Sequence, residues 1–186
     1  IKNNYLKSNI NDENMNFVYS LTKLLKINKN SFIKSMGSFL GLPHRYEIFL
    51  RKKNITFIND SKGTSLQATK FALASSKNIY WILGGLPKYK DKIDFKYIKN
   101  NIIKSYIIGK NINFFKKQLK NKVKFSVRKN LRNAIIQALK DVKLSKQTSN
   151  TILLSPGAAS FDQFENFENR GNEFKKLSRL YAKKFI

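Results

Sequence analysis

Ile55-Thr56-Phe57-Ile58-Asn59-Asp60-Ser61-Lys62-Gly63-Thr64-Ser65 changes character halfway along. Its first four residues are β-branched or aromatic and read as a strand. Leu66-Gln67-Ala68-Thr69-Lys70-Phe71-Ala72-Leu73-Ala74, which follows directly, reads as a helix. A strand, a polar turn and a helix in that order form the junction at which open α/β sheets bind ligands, beyond the carboxyl ends of their strands. The turn, Asn59 to Ser65, holds a carboxylate, hydroxyls, an ammonium and a glycine. A plain connection needs only the glycine and a cap.

The same alternation extends outward from this stretch. Upstream, Tyr46-Glu47-Ile48-Phe49-Leu50 faces Ile55–Ile58 across the polar tetrapeptide Arg51-Lys52-Lys53-Asn54, which predicts a hairpin. Downstream, strands are predicted at 79–83, 105–108, 123–127 and 151–154. Helices are predicted around 66–76, 94–102, 112–119 and 130–142, the last with Leu131, Ile135, Ala138 and Val142 as its core stripe. A final helix spans about 166–184, with Phe167, Phe174, Leu177 and Tyr181 on one face. Near-continuous apolar strands alternating with helices predict a Rossmann-like, mostly parallel six-stranded sheet covered on both faces. Before it, Phe17, Val18, Leu21, Leu24 and Leu25 stripe a helix over about 13–25, and a second short helix runs from Ser31 to Phe39. A lone helix cannot bury such a stripe, so it needs a partner surface. Gly41-Leu42-Pro43 punctuates the chain there. The expected division is 1–38, a helical piece, and 39–186, the α/β domain.

The 186 residues fit one domain with an appendage, and 41% apolar content supports a packed core. No run approaches a membrane span. The start, Ile1-Lys2-Asn3-Asn4, has neither an initiator Met nor a signal-peptide core, which suggests a piece of a longer polypeptide. The absence of cysteine excludes a disulfide scaffold and a thiolate metal site, and fits the cytoplasm. Net charge is +26, from 37 Lys and Arg against 11 Asp and Glu. Such an excess suits nucleic acid or an anionic membrane. These lysines, however, are dispersed along every segment, as compositional drift would leave them, and no nucleic-acid-reading signature accompanies them. No nucleic-acid or membrane partner is expected.

Four polar junctions hold the chemistry. They are His44-Arg45, Asn59 to Ser65, Gly84-Gly85-Leu86-Pro87-Lys88, and Ser155-Pro156-Gly157-Ala158-Ala159-Ser160. In a parallel sheet the last three share one edge and converge on one crevice. Arg45, Lys62 and Lys88 are cations suited to phosphate and carboxylate oxygens. Thr64 and Ser160 stand at helix starts, where free N–H groups face anions. Each feature also has a plain reading. Thr64 is a plausible N-cap, Ser160-Phe161-Asp162-Gln163 fits a capping box, and Gly84-Gly85 fits a simple turn. His44 is the only histidine, so neither a triad nor a multi-histidine metal site is possible. The pattern by itself yields an anion-binding α/β domain and no reaction.

At these junctions the chain resembles the C-terminal domain of the Mur ligases, the ATP-dependent amino-acid ligases of peptidoglycan synthesis. The resemblance lies in Phe39-Leu40-Gly41-Leu42-Pro43-His44-Arg45-Tyr46-Glu47, Phe57 to Ser65, Leu83 to Lys88, Leu153 to Phe164 and Asn166 to Phe174. The Asp-Ser-Lys-Gly-Thr turn and the Ser-Phe-Asp-Gln-Phe segment resemble the branch of the family that adds D-glutamate. Asn11-Asp12-Glu13-Asn14 is similar to an Asn-x-x-Asn element near the adenine, at the end of the family's central ATPase domain. The family's glycine-rich phosphate loop does not occur in these residues, so the resemblance covers part of the enzyme, and this part alone is expected to be inactive.

The resemblance implies a cytoplasmic, monomeric ligase that joins D-glutamate to UDP-N-acetylmuramoyl-L-alanine through an acyl phosphate, using ATP and Mg2+ held mainly by the central domain. It implies that Asn11, Asn14, Arg45 and Asp60 face the nucleotide and that Lys62 is catalytic, at the reacting phosphoryl or acyl group. Thr64 and Lys88 would hold one carboxylate of D-glutamate; Ser160, Phe161 and Phe167 would hold the other. Another Mur-type or folylpolyglutamate-type ligase domain, and a basic nucleic-acid-binding module, are the alternatives.

Overall fold

The computed structural model describes Asn3, Leu6 and residues 9–186, with the side chains of residues 9–11 outside the description. It divides into two compact units, Ile1–Leu42 and Pro43–Ile186. The first contains α1 (Asn9–Leu24) and α2 (Lys29–Ser38). Asn28 caps α2, accepting a hydrogen bond from the Asn30 N–H at 2.7 Å. Tyr19 packs on Phe32 with ring centroids 5.1 Å apart, and Leu6 and Phe32 are buried. Phe17, Leu24 and Leu25 of the predicted stripe are largely exposed.

The second unit is a six-stranded sheet. Its elements run β1 (Glu47–Lys52), β2 (Ile55–Asn59), α3 (Leu66–Ala74), β3 (Ile79–Gly84), β4 (Ile102–Ile108), α4 (Ile112–Leu119), β5 (Phe125–Lys129), α5 (Leu131–Lys143), β6 (Asn150–Leu154) and α6 (Phe167–Phe185). The strand order is β1-β2-β6-β3-β4-β5. Only β1 is antiparallel, joined to β2 by the predicted hairpin; the strands extend through Lys52, so the turn is Lys53-Asn54, with Lys53 at φ 49°. The other pairings are parallel.

Alternation along the strands divides the core in two. Phe57, Tyr80, Ile82, Tyr106, Ile152 and Leu154 face α5 and α6, which cover one side. Ile58, Trp81, Leu83, Ile107 and Leu153 face α3 and α4 on the other. Strands with both faces covered are apolar at consecutive positions, and every residue of β3 and β6 is buried. The expected stripe of α5 is buried at all four positions, and Asn130 caps the helix by accepting from the Asn133 N–H at 2.9 Å.

One predicted element is absent. Residues 94–102 form turns and a short 3-10 segment, Lys99–Asn101, instead of an α-helix. Phe95, Ile98 and Ile102 are buried as a helical stripe would be, but β4 already begins at Ile102. The Asp94 carboxylate accepts the Lys96 N–H at 2.9 Å, a local turn that competes with helix.

Candidate functional site

The parallel neighbours β2, β6 and β3 end side by side, and the loops that leave them are tied to one another through the backbone. The Asp60 N–H donates to Leu154 O at 2.7 Å, and the Gly157 N–H donates to Gly63 O at 2.9 Å. The Gly84 N–H reaches Pro156 O, while Leu86 and Ala159 exchange both of their N–H···O bonds at 2.8 and 3.0 Å. The fourth junction joins through Lys62, whose N–H donates to His44 O at 3.0 Å. The expected convergence is therefore a hydrogen-bonded fact. Gly84 and Gly85, at φ +139° and +130°, are required by it: a Cβ at Gly84 would collide with Ile108 O, and one at Gly85 with Ala159 O. They are more than a simple turn.

Asp60 points inward. Its Oδ1 accepts the Tyr46 N–H at 3.1 Å and its Oδ2 accepts the Ser155 hydroxyl at 2.6 Å. Burial raises its pKa to about 6, against the opposing pull of Ser155, the Tyr46 N–H and the positive charges of Arg45 and Arg170. Arg45 is exposed, at the apex of a turn in which His44 and Tyr46 both adopt left-handed φ, 63° and 46°. Non-glycine residues rarely hold that conformation. The turn is held by the His44 N–H donating to Glu47 Oε2 at 3.0 Å and by the Tyr46–Asp60 bond.

His44 is a packing residue. It is buried, its Nδ1 receives the Asn59 amide at 2.9 Å, and burial and then Lys175 lower its pKa, so the ring is neutral. The ring packs edge-to-face with Phe167, ring centroids 5.9 Å apart. On that same Phe167 sits the Lys62 ammonium, 3.9 Å from the ring centroid. A cation on an aromatic face is fixed in place without a carboxylate to neutralise it. The carbonyl of Phe167 in turn accepts the Ser61 hydroxyl at 2.8 Å.

The remaining expected residues are less uniform. Lys88 is exposed, on a turn closed by the Asp91 N–H donating to Lys88 O at 3.2 Å. Asp91 then accepts the Leu66 N–H at 2.7 Å, which ties the Lys88 turn to the start of α3. Thr64 is not the cap of α3; Ser65 is, accepting from the Ala68 N–H at 3.2 Å. With Ser65 and Asp91 on these two amides, the start of α3 offers fewer free donors than expected. Ser160 is buried but opens no helix. Its carbonyl accepts the Gln163 and Phe164 N–H groups in an isolated turn, and α6 begins after Asn166, which caps it at 2.7 Å from the Asn169 N–H. The expected capping box is therefore absent, because Asn166 outcompetes Ser160 as the cap nearest the apolar run. Phe161 is 69% exposed on the same rim. Asn14 lies exposed on α1 in the other unit, and the side chain of Asn11 lies outside the described residues.

Arg170 was not expected to have a role. Its fork reaches Ser61 Oγ, Ala158 O and Ser61 O at 3.0, 3.0 and 2.8 Å. The signal was present: Phe167, Arg170, Phe174 and Leu177 share helical spacing, which puts an arginine on a buried stripe. Among the described residues no group of three or more His, Asp or Glu could hold a metal, and no helix is long and apolar enough to cross a membrane.

Cationic and hydroxyl groups stand on loops whose backbones are hydrogen-bonded to one another, and such groups suit carboxylate and phosphate oxygens. Comparison with known proteins gives this chemistry a setting. No family model matches the chain. Curated relatives do. The UDP-N-acetylmuramoylalanine–D-glutamate ligase of Rickettsia felis is 36% identical over 180 residues, 97% of this chain and 40% of the relative. The ligase of that name from Wolbachia sp. subsp. Brugia malayi is 39% identical over 90% of this chain and 33% of its own length. That of Bradyrhizobium diazoefficiens is 41% identical over 76% of this chain and 30% of its own. The chain thus spans 40% or less of the length of these relatives.

Proposed function

Kinship with the UDP-N-acetylmuramoylalanine–D-glutamate ligases, over part of their length, is the premise from which we propose that this chain is the C-terminal portion of such an enzyme. The unit 43–186 then supplies the amino-acid pocket and one wall of the nucleotide site, and α1 and α2 are the end of the central ATPase domain. In the reaction, the γ-phosphoryl of ATP passes to the alanyl carboxylate of UDP-N-acetylmuramoyl-L-alanine, giving an acyl phosphate and ADP. The D-glutamate amine attacks the acyl carbon, and phosphate leaves with the bonding pair.

The observation that carries this reading is the lacing of all four junctions into one rim at the ends of β2, β6 and β3. On that rim Lys62, seated on Phe167, stabilises charge developing at the phosphoryl or acyl group. Arg45 reaches outward toward the nucleotide, and Asp60 holds the Arg45 turn in place rather than projecting into solvent. Thr64 and Lys88 take one carboxylate of D-glutamate; Ser160 and the backbone beside Phe161 and Phe167 take the other. ATP brings Mg2+ with it, which would neutralise phosphate charge; the described residues contain no ligand set for that ion.

Phosphate release by the full-length ligase, assayed with ATP and UDP-N-acetylmuramoyl-L-alanine and each amino acid in turn, tests the reading. It requires turnover with D-glutamate and a loss of at least tenfold in kcat for Lys62→Met. Turnover with L-lysine or L-alanine in place of D-glutamate, or none with any amino acid, would overturn it.

A further inference from the structure

Arg170 is 1% exposed, among the largest fully buried side chains of the protein. A buried guanidinium is expected to face a carboxylate, since an unpaired charge is costly away from water. Among the described residues the ion pairs are Lys104–Asp141 and Lys175–Glu47, and none involves Arg170. Instead all three of its nitrogens donate to neutral acceptors: Nε to Ser61 Oγ, Nη1 to Ala158 O and Nη2 to Ser61 O. Nη1 also lies 3.2 Å from where a Cβ of Gly85 would stand. One side chain therefore bonds to two of the four junctions and stands beside a third, and it projects from the first turn of α6, one turn beyond Phe167. The charge survives burial. Its pKa falls to about 10, held up by the more distant Asp162 and Asp60, so the group is cationic at neutral pH.

We propose that Arg170 is a positioning residue of the amino-acid site, locking the Ser61 turn against the Ala158 turn and leaving a buried positive charge, without a directly paired carboxylate, that adds to the attraction on the carboxylate of the bound amino acid. This rests on the D-glutamate ligase reading. It separates two effects that one arginine combines. The fork fixes geometry, on which every ligand depends equally. The charge acts through a low-dielectric floor and favours a ligand with two carboxylates over one with a single carboxylate.

The test uses the full-length ligase, with D-glutamate and its neutral side-chain amide D-glutamine as competing ligands, and compares their inhibition or Michaelis constants. Arg170→Gln should raise the D-glutamate constant at least tenfold, leave the ATP KM within threefold, and shrink the D-glutamate to D-glutamine preference at least fivefold. Arg170→Lys, which keeps the charge and loses the fork, should weaken both ligands and preserve the preference. Asp162→Asn serves as a charge-only variant should Arg170→Gln not fold. Asp162 holds only the Lys110 N–H, at 2.9 Å, and lies near enough to raise the pKa of Arg170. Its neutralisation should tighten D-glutamate and widen the preference. Equal losses for both ligands in Arg170→Gln, or a preference unmoved by Asp162→Asn, would leave Arg170 a purely structural clamp and overturn the proposal. Failure of the wild-type enzyme to use D-glutamate is a separate outcome that removes the functional reading itself.

Discussion

Replacing Asp60 with asparagine should make the protein more stable at neutral pH and not at acid pH. The carboxyl of Asp60 titrates near 6 in the folded protein against 3.8 for an exposed aspartate, and burial is the main cause. That difference corresponds to about 3 kcal/mol, because a tenfold change in proton affinity is worth ~1.4 kcal/mol. The sign follows from proton linkage. Between pH 3.8 and 6 the folded state binds more protons at this site than the unfolded state, so the contribution of Asp60 to stability falls as pH rises through that window. Above it the full penalty is present. Asparagine keeps both contacts. Its Oδ1 can accept the Tyr46 N–H, and its amide can donate to Ser155 Oγ, where the serine now donates to Asp60. Residual exposure of Asp60 lets water screen part of the charge, so the gain at pH 7.5 is about 2 kcal/mol. Urea unfolding at pH 4 and pH 7.5 measures it. Trp81 is the only tryptophan and is fully buried on β3, so its fluorescence reports on the α/β unit. His44, whose pKa burial lowers, is common to both proteins, so its contribution cancels in the difference. A ΔΔG that is the same at both pH values, or a less stable Asp60→Asn at pH 7.5, refutes the argument.

Lys88→Ala removes an exposed amine and should change stability by less than about 0.5 kcal/mol. In the full-length ligase it should raise the D-glutamate KM by about tenfold or more, the value of a charge-assisted hydrogen bond; an equal rise in the ATP KM argues against its place in the pocket. Gly171→Ala tests the packing of the histidine. A Cβ there would overlap His44 Nδ1 and stand 3.0 Å from Asn59 Nδ2, so thermal unfolding should show a loss of about 1–3 kcal/mol. Alanine is the better helix former by about 1 kcal/mol, so a stabilised variant would show that the His44–Asn59 cluster is loose.

The sheet was legible because its strands are apolar on consecutive residues and its helices are not. Phe57 and Ile58, or Ile82 and Leu83, can be adjacent and both buried only in a strand covered on two faces. The segment 94–102 misled because Phe95, Ile98 and Ile102 are buried at helical spacing without forming a helix. Periodicity registers burial, and it reports helix only when the backbone bonds accompany it. Caps were misassigned at Thr64 and Ser160 for a related reason. Ser, Thr and Asn are all competent caps, and the choice among neighbours is made by the tertiary position of the helix start. In the site, the residues facing solvent were marked by their chemistry. Arg170, Ser155 and Asp91 were not, since their partners lie 109, 95 and 25 residues away, at Ser61, Asp60 and Leu66.

The strand at the centre of the sheet, β6, is the last of the six to leave the ribosome. It lies between β2 and β3, which are joined to each other through α3 long before residue 150 exists. Until then the growing chain holds two apolar strands with bare inner edges, separated by a gap one strand wide. Such edges invite pairing with the wrong chain. The site shares this delay. Asp60 has no Ser155, Gly63 no Gly157 and Ser61 no Arg170 until β6 and α6 have been made. The fold is therefore rich in contacts between distant residues, which slows its formation. The crevice cannot be assembled in a chain cut short before α6, however complete its first five strands.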